Sequence, residues 1–146
     1  MIIALAADHR GYKLKEELKK ELSKKYEILD IGTNSEESVD FPFYGIKLGE
    51  TIKNKEADFG IAICGTGIGI SIACNKVKTV MCAKISNKKE ARLAKEHNNA
   101  NVIALSGETS LEKALDMINE FIEKEPPQES KYLRRINEIL DYENES

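Results

Sequence analysis

The residues best suited to chemistry gather in one stretch, Ala57 to Asn75, where Cys64 is followed by Gly65, Thr66, Gly67, Ile68 and Gly69. The run Phe59 to Ile63 is apolar and bounded by turn residues, which predicts a buried strand of a parallel sheet. Ile70, Ile72 and Ala73 then return at a spacing that suits a short helix. The stretch therefore reads as strand, glycine loop, helix. Such a turn leaves main-chain N–H groups unpaired at a helix start, a ready site for negative charge. A helix N-terminus also favours the thiolate of a neighbouring cysteine. The chemistry expected is an oxyanion held by the loop while Cys64 moves a proton beside it.

Other uses of a glycine loop fit less well. A dinucleotide fingerprint needs G-x-G-x-x-G and an acidic residue about 20 positions on, at the end of the next strand. Here the third glycine comes one residue early, and the strand predicted over 79–85 ends in Ser86-Asn87. No Gly-Lys-Ser/Thr follows, which excludes a nucleotide phosphate loop. A tight strand-to-helix turn needs glycine for its own geometry; one glycine would serve it, whereas three alternating ones suit an anion cradle. Cys64 itself reads either as a functional thiol or as a small buried hydrophobe, and Cys74 and Cys82 fit the second description.

The remaining candidates also have two readings each. Asp8 and His9 place a carboxylate beside an imidazole at a strand end; the alternatives are a helix cap and a surface histidine. His97 ends a predicted helix, where the dipole favours a cationic imidazole, and a capping contact would explain it equally. Asp40, before Phe41-Pro42, is a site carboxylate or a cap. Thr66 is a donor in the loop or plain turn chemistry.

The elements that must position these residues alternate strand and helix. Strands are predicted over 2–7, 26–31, 59–63, 79–85 and 101–105, with Cys82 buried in the fourth. Helices are predicted over 12–25, 44–54 with Pro42 at the start, 88–97, 111–123 and 130–142, besides the helix after the glycine loop. The alternation implies a five-stranded parallel sheet with helices on both faces. Ligands of such sheets sit beyond the carboxyl ends of the strands, where Asp8, His9, Asp40, Cys64 and Ser106-Gly107 fall. Pro126-Pro127 sets the last helix apart, and its apolar stripe of Leu133, Ile136, Ile139 and Leu140 needs its own domain or a partner subunit to pack on.

The bulk numbers agree with one domain over 1–146. The chain is 41% hydrophobic and 32% charged, with a net charge of −3 that argues against a nucleic-acid surface. No apolar run approaches a membrane span. The start, M-I-I-A-L-A-A-D, reads as a strand and not as a signal peptide. Three cysteines without metal spacing suggest a reducing cytoplasm and no metal.

Taken together, A-A-D-H-R-G-Y-K-L-K, D-I-G-T-N-S-E-E-S-V-D-F-P, I-C-G-T-G-I-G-I-S-I-A-C-N-K and E-H-N-N-A-N-V-I-A-L make the chain resemble the type B ribose-5-phosphate isomerase family, which includes bacterial galactose-6-phosphate isomerase subunits. The similarity runs in the same order over nearly the whole length. It implies a Rossmann-like three-layer α/β/α sandwich, a homodimer or homotetramer with the active site at the subunit contact, and no cofactor. By position, Cys64 resembles the proton-shuttling base, and Gly65 to Gly69 with Thr66 the hole for an enediolate. His97 and Asp8 resemble the pair that opens the furanose ring, His9 a phosphate contact and Asn98 a sugar-hydroxyl contact. Of the family's three phosphate arginines only Arg135 is kept; Glu108 and Lys131 stand at the other two places, and Arg10 and Arg134 are candidates to compensate. The resemblance implies interconversion of ribose 5-phosphate and ribulose 5-phosphate. The alternatives are a galactose- or allose-6-phosphate isomerase and a non-catalytic sugar-phosphate-binding subunit.

Overall fold

The computed structural model describes residues 1–145. The elements run β1 (Ile2–Ala7), α1 (Tyr12–Leu22), β2 (Glu27–Gly32), α2 (Phe41–Lys53), β3 (Phe59–Cys64), α3 (Ile68–Asn75), β4 (Cys82–Lys84), α4 (Lys88–Glu96), β5 (Val102–Ser106), α5 (Leu111–Glu123) and α6 (Ser130–Glu145). The strands form one parallel sheet in the order β2-β1-β3-β5-β4.

Alternation along the strands builds the layers. Ile3, Leu5 and Ala7 of β1, with Ile61 and Ile63 of β3, point to the face covered by α1, α4 and α5. Ala4, Ala6, Ala62 and Cys64 point to the other face, against α2 and α3. The branched residues of the first face each contribute roughly 1.5–3 kcal/mol on burial. The small residues of the second let α2 and α3 lie close to the sheet and to one another: a Cβ on Gly45 would stand 2.8 Å from the Ala73 Cβ. This close packing fixes where the N-terminus of α3 meets the end of β3. Together the layers make the α/β/α sandwich that the sequence predicts. No helix among the described residues is long and apolar enough to cross a membrane.

Several boundaries differ from the sequence reading. β4 is three residues long, not seven. Thr79 has φ +74°, and Val80 N–H turns back to the Val77 carbonyl at 3.2 Å. Two asparagines take over the missing ladder: Asn101 Oδ1 accepts from Met81 N–H at 2.8 Å, and Asn75 Oδ1 from Cys82 N–H at 2.7 Å. Cys82 is accordingly half-buried at the sheet edge instead of lying within the core. Helix α1 stops at Leu22, α2 starts already at Phe41, and α3 begins inside the glycine triplet, with Gly67 as its N-cap. Helix α6 stands off its own chain: Ile136 is its one buried residue among those described, while Leu133, Ile139 and Tyr142 are exposed.

One buried charge braces the β1–β2 side. Lys15, on α1, is fully buried, and its Nζ donates to Asp30 Oδ1 and Oδ2 at 2.9 and 3.0 Å and to Glu16 Oε2 at 2.7 Å. Asp30 also accepts from Lys19 Nζ at 3.1 Å and from Gly32 N–H at 2.9 Å. Every lone pair that points inward is thereby used, the condition under which a buried pair is tolerated.

Candidate active site

The site grows from the carboxyl end of β3, the central strand and the one whose six residues are all buried. Cys64 is its last residue, 4% exposed. The chain then turns so that Gly67 N–H donates to Cys64 Sγ at 3.2 Å. Gly67 makes this possible: its φ is +80°, and a Cβ there would lie 2.8 Å from the Leu105 carbonyl carbon of β5. A main-chain donor aimed at sulfur is the contact that a thiolate accepts.

The other loop amides divide in two. Ile68 N–H donates to Thr66 Oγ1 at 3.1 Å, so the threonine hydroxyl braces the turn, the plainer of its two sequence readings. The N–H groups of Gly65, Thr66, Gly69 and Ile70 have no acceptor among the described residues. Gly65 and Gly69 are half-buried and Thr66 and Ile68 exposed, so the loop borders solvent. The loop is held from outside as well. Ser106 Oγ donates to the Gly65 carbonyl at 2.7 Å, and Gly107 N–H to the Cys64 carbonyl at 2.8 Å.

Asp8 and His9 stand on the neighbouring strand end. Asp8 is 6% exposed, and its Oδ1 accepts from Arg10 and Gly11 N–H at 2.9 and 3.1 Å, opening the way into α1. Asp8 is therefore not the helix N-cap that the sequence also allows, since Gly11 holds that place; its carboxylate braces the turn before α1 through Oδ1 and leaves Oδ2 for a ligand. His9 Nδ1 lies 3.2 Å from both the carbonyl and the N–H of Val39. The 33–40 loop thus fixes the ring and leaves Nε2 unengaged. Asp40 is the N-cap of α2, with no side-chain bond to it.

His97, Asn98, Lys131 and Arg135 lie elsewhere. Helix α4 starts beyond the carboxyl end of β4 and runs back, so His97, its C-cap, precedes the amino end of β5. The five or six residues of a strand separate that edge from Cys64, roughly 16–20 Å. One chain therefore does not bring His97 to Asp8. At its own edge His97 stacks on Tyr132 of α6, with ring centroids 4.3 Å apart and planes 15° off parallel. Lys131 Nζ lies 5.1 Å and Arg135 Cζ 6.0 Å from that same ring, which makes one cationic, aromatic cluster. Tyr132 escaped sequence reasoning; its place between Lys131 and Arg135, on the same turn of the helix, was the available signal.

The other cysteines fit the apolar reading. A hydrogen bond with Cys74, together with burial, pushes the Cys82 thiol up, which keeps it protonated and unreactive. Among the described residues no three His, Cys, Asp or Glu side chains gather as a metal site.

Known proteins resemble the chain over nearly its whole length. Residues 3–139 match the family model described as Ribose/Galactose Isomerase. A Mycoplasma genitalium protein named as a probable ribose-5-phosphate isomerase B is 35% identical over 99% of this chain and 97% of its own. The Clostridium thermocellum ribose-5-phosphate isomerase B superposes with a TM-score of 0.95 at 42% identity, covering 99% of both chains. A Mycoplasma genitalium ribose-5-phosphate isomerase B solved with bound ribulose-5-phosphate does so with a TM-score of 0.91 at 34% identity, over 99% of this chain and 97% of that one. A thiol at the end of the central strand, an amide-lined loop and likeness over almost every residue lead to one conclusion: the chain belongs to the ribose/galactose isomerase family.

Proposed function

We propose that this chain is a ribose-5-phosphate isomerase that works through an enediolate. The observation that carries the reading is the Gly67 N–H directed at Cys64 Sγ in a loop whose other amides stand open. The Cys64 thiolate takes the proton from C2 of the opened aldose. The electron pair moves to O1, and the loop amides receive the negative charge as it forms there. Return of the proton to C1, with the O2 proton passing to O1, gives the ketose. Nothing in this sequence of proton transfers calls for a metal or an organic cofactor. The residues 1–146 act as one sugar-phosphate isomerase domain, and three free thiols suit a reducing, cytoplasmic setting.

The His97 cluster enters from a second copy of the chain. Asp8 and His97, set at opposite edges of one chain, meet across a two-fold contact and open the sugar ring, with Asn98 on a hydroxyl and Lys131 and Arg135 on the phosphate. Unburied apolar residues support such a contact: Phe43, Ile46, Ile68 and Ile72 on α2 and α3, and Leu133, Ile139 and Tyr142 on α6.

The test of the reaction is a substrate panel on pure protein. Ribose 5-phosphate should turn over far faster than allose 6-phosphate or galactose 6-phosphate. A hexose preference would move the assignment to the other branch of the family, and no turnover of any would leave a binding subunit. The shared site has its own test. Chains carrying Cys64→Ala and chains carrying His97→Asn should each be inactive alone. Unfolded together and refolded in equal amounts, they should recover about a quarter of wild-type activity, because half the dimers then own one intact site. A self-contained site would recover none.

A further inference from the structure

We propose that Arg10 grips the phosphate of the substrate from the chain that carries Cys64, a role that rests on the sugar-phosphate reading above. Arg10 is exposed, yet its side chain lies along the glycine loop. A Cβ on Gly65 would stand 3.1 Å from Arg10 Nε, 3.2 Å from Cδ and 3.4 Å from Cζ. Its main chain is fixed on both sides. The N–H donates to Asp8 Oδ1 at 2.9 Å, and the carbonyl oxygen would be 2.2 Å from a Cβ on Gly107. The residue, in the loop that follows β1, thus packs its main chain against the loop that follows β5 and its side chain along the loop that follows β3.

That guanidinium forms no ion pair among the described residues. Gly65, whose own amide is open, packs against it, and His9 precedes it in the chain. A planar fork of donors next to main-chain N–H groups is the arrangement that holds a phosphate dianion. Glu108, whose charge would oppose that anion, has basic neighbours of its own. It lines a cavity of about 290 Å³ with Lys84 and Lys113, on the β4 side of Ser106, and its own N–H donates to Ser106 Oγ at 3.2 Å. Two lysines thus share the surroundings of that negative side chain. Lys131 and Arg135 reach the phosphate from the second chain, so the dianion is held from both subunits.

Two variants separate charge from packing. Arg10→Met keeps the apolar stem against Gly65, and Arg10→Ala removes it. Both should raise KM for ribose 5-phosphate by about 10- to 100-fold, with kcat within about threefold. Both should weaken competitive inhibition by inorganic phosphate by the same factor. If Arg10→Met keeps wild-type KM and phosphate inhibition, the side chain only packs, and the proposal is overturned. Should wild-type protein fail to turn over ribose 5-phosphate, the isomerase reading fails separately. Calorimetric titration with inorganic phosphate then reads the contact alone: binding by wild type that Arg10→Met abolishes supports it, and equal binding by both refutes it.

Discussion

Cys64→Ala should lower kcat for ribose 5-phosphate by about a thousandfold while KM stays within about threefold. The substitution removes one atom from a residue that is 4% exposed, and the surroundings of β3 and α3 can accommodate the change. What disappears is the sulfur to which Gly67 N–H donates. The open N–H groups of Gly65, Thr66, Gly69 and Ile70 remain, as do Asp8 and His9, so the sugar phosphate still binds. Cys64→Ser is the sharper probe. A serine oxygen can accept the Gly67 N–H that Sγ accepts at 3.2 Å. It holds its own proton too tightly near neutrality to take one from carbon, so geometry is kept and turnover is lost. Exchange of the C2 hydrogen with deuterated water, followed by NMR, should cease in both variants. A serine variant within tenfold of wild type would remove Cys64 from the mechanism.

The second large effect is on stability. Asp30→Asn should destabilise the fold by about 3 kcal/mol, because it strips the fully buried Lys15 ammonium of its bidentate partner and leaves it only Glu16. For a chain of this length that corresponds to a fall in Tm of roughly 10 °C. Adding Lys15→Met to Asp30→Asn should recover most of the loss, since the damage lies in the orphaned charge and not in the missing attraction. The acid response follows from the same contacts. Burial alone would raise the Asp30 carboxyl, but hydrogen bonds from Lys15, Lys19 and Gly32 N–H outweigh it and hold it below its ordinary value of 3.8. The unfolded chain therefore binds this proton more readily than the folded one. The contribution is complete above about pH 5 and is lost as pH falls through the lowered value. Urea titrations of wild type between about pH 5 and 3 should show a steep decline that Asp30→Asn lacks. A parallel decline in both would refute the assignment.

What the sequence made legible was the local part. β1 and α5 have the predicted bounds, and the alternation of strand and helix implied the parallel sheet, because hydrophobic periodicity reflects neighbours along the chain. The seven residues predicted for β4 shrink to three because Asn75 and Asn101 side chains replace ladder bonds, a substitution that no local pattern reveals. The glycine triplet pointed to the loop, but not that α3 would start within it, which depends on Gly67 passing so close to Leu105 that a Cβ would lie 2.8 Å from its carbonyl carbon. The loop between Cys64 and Gly69 was therefore readable as a unit. The separation of His97 from Asp8, its stacking on Tyr132 and the lie of Arg10 across Gly65 were not, since each joins segments far apart in sequence.

The unequal anchoring of the two edges bears on how the molecule breathes. β3 is enclosed on both faces and flanked by β1 and β5, so opening it requires disrupting the whole sheet. Helix α6 buries only Ile136 among its described residues and is otherwise tied to its own chain by the Tyr132 ring on His97 and by Glu143, which accepts from Thr79 N–H, so it can fray more readily than β3. The thiol thus rides on a strand enclosed on both faces, whereas Lys131 and Arg135 ride on a helix with few seats of its own. If two copies meet as proposed, ordering of that helix would accompany assembly, and a lone chain would keep Cys64 and Arg10 in place while α6 stays loose.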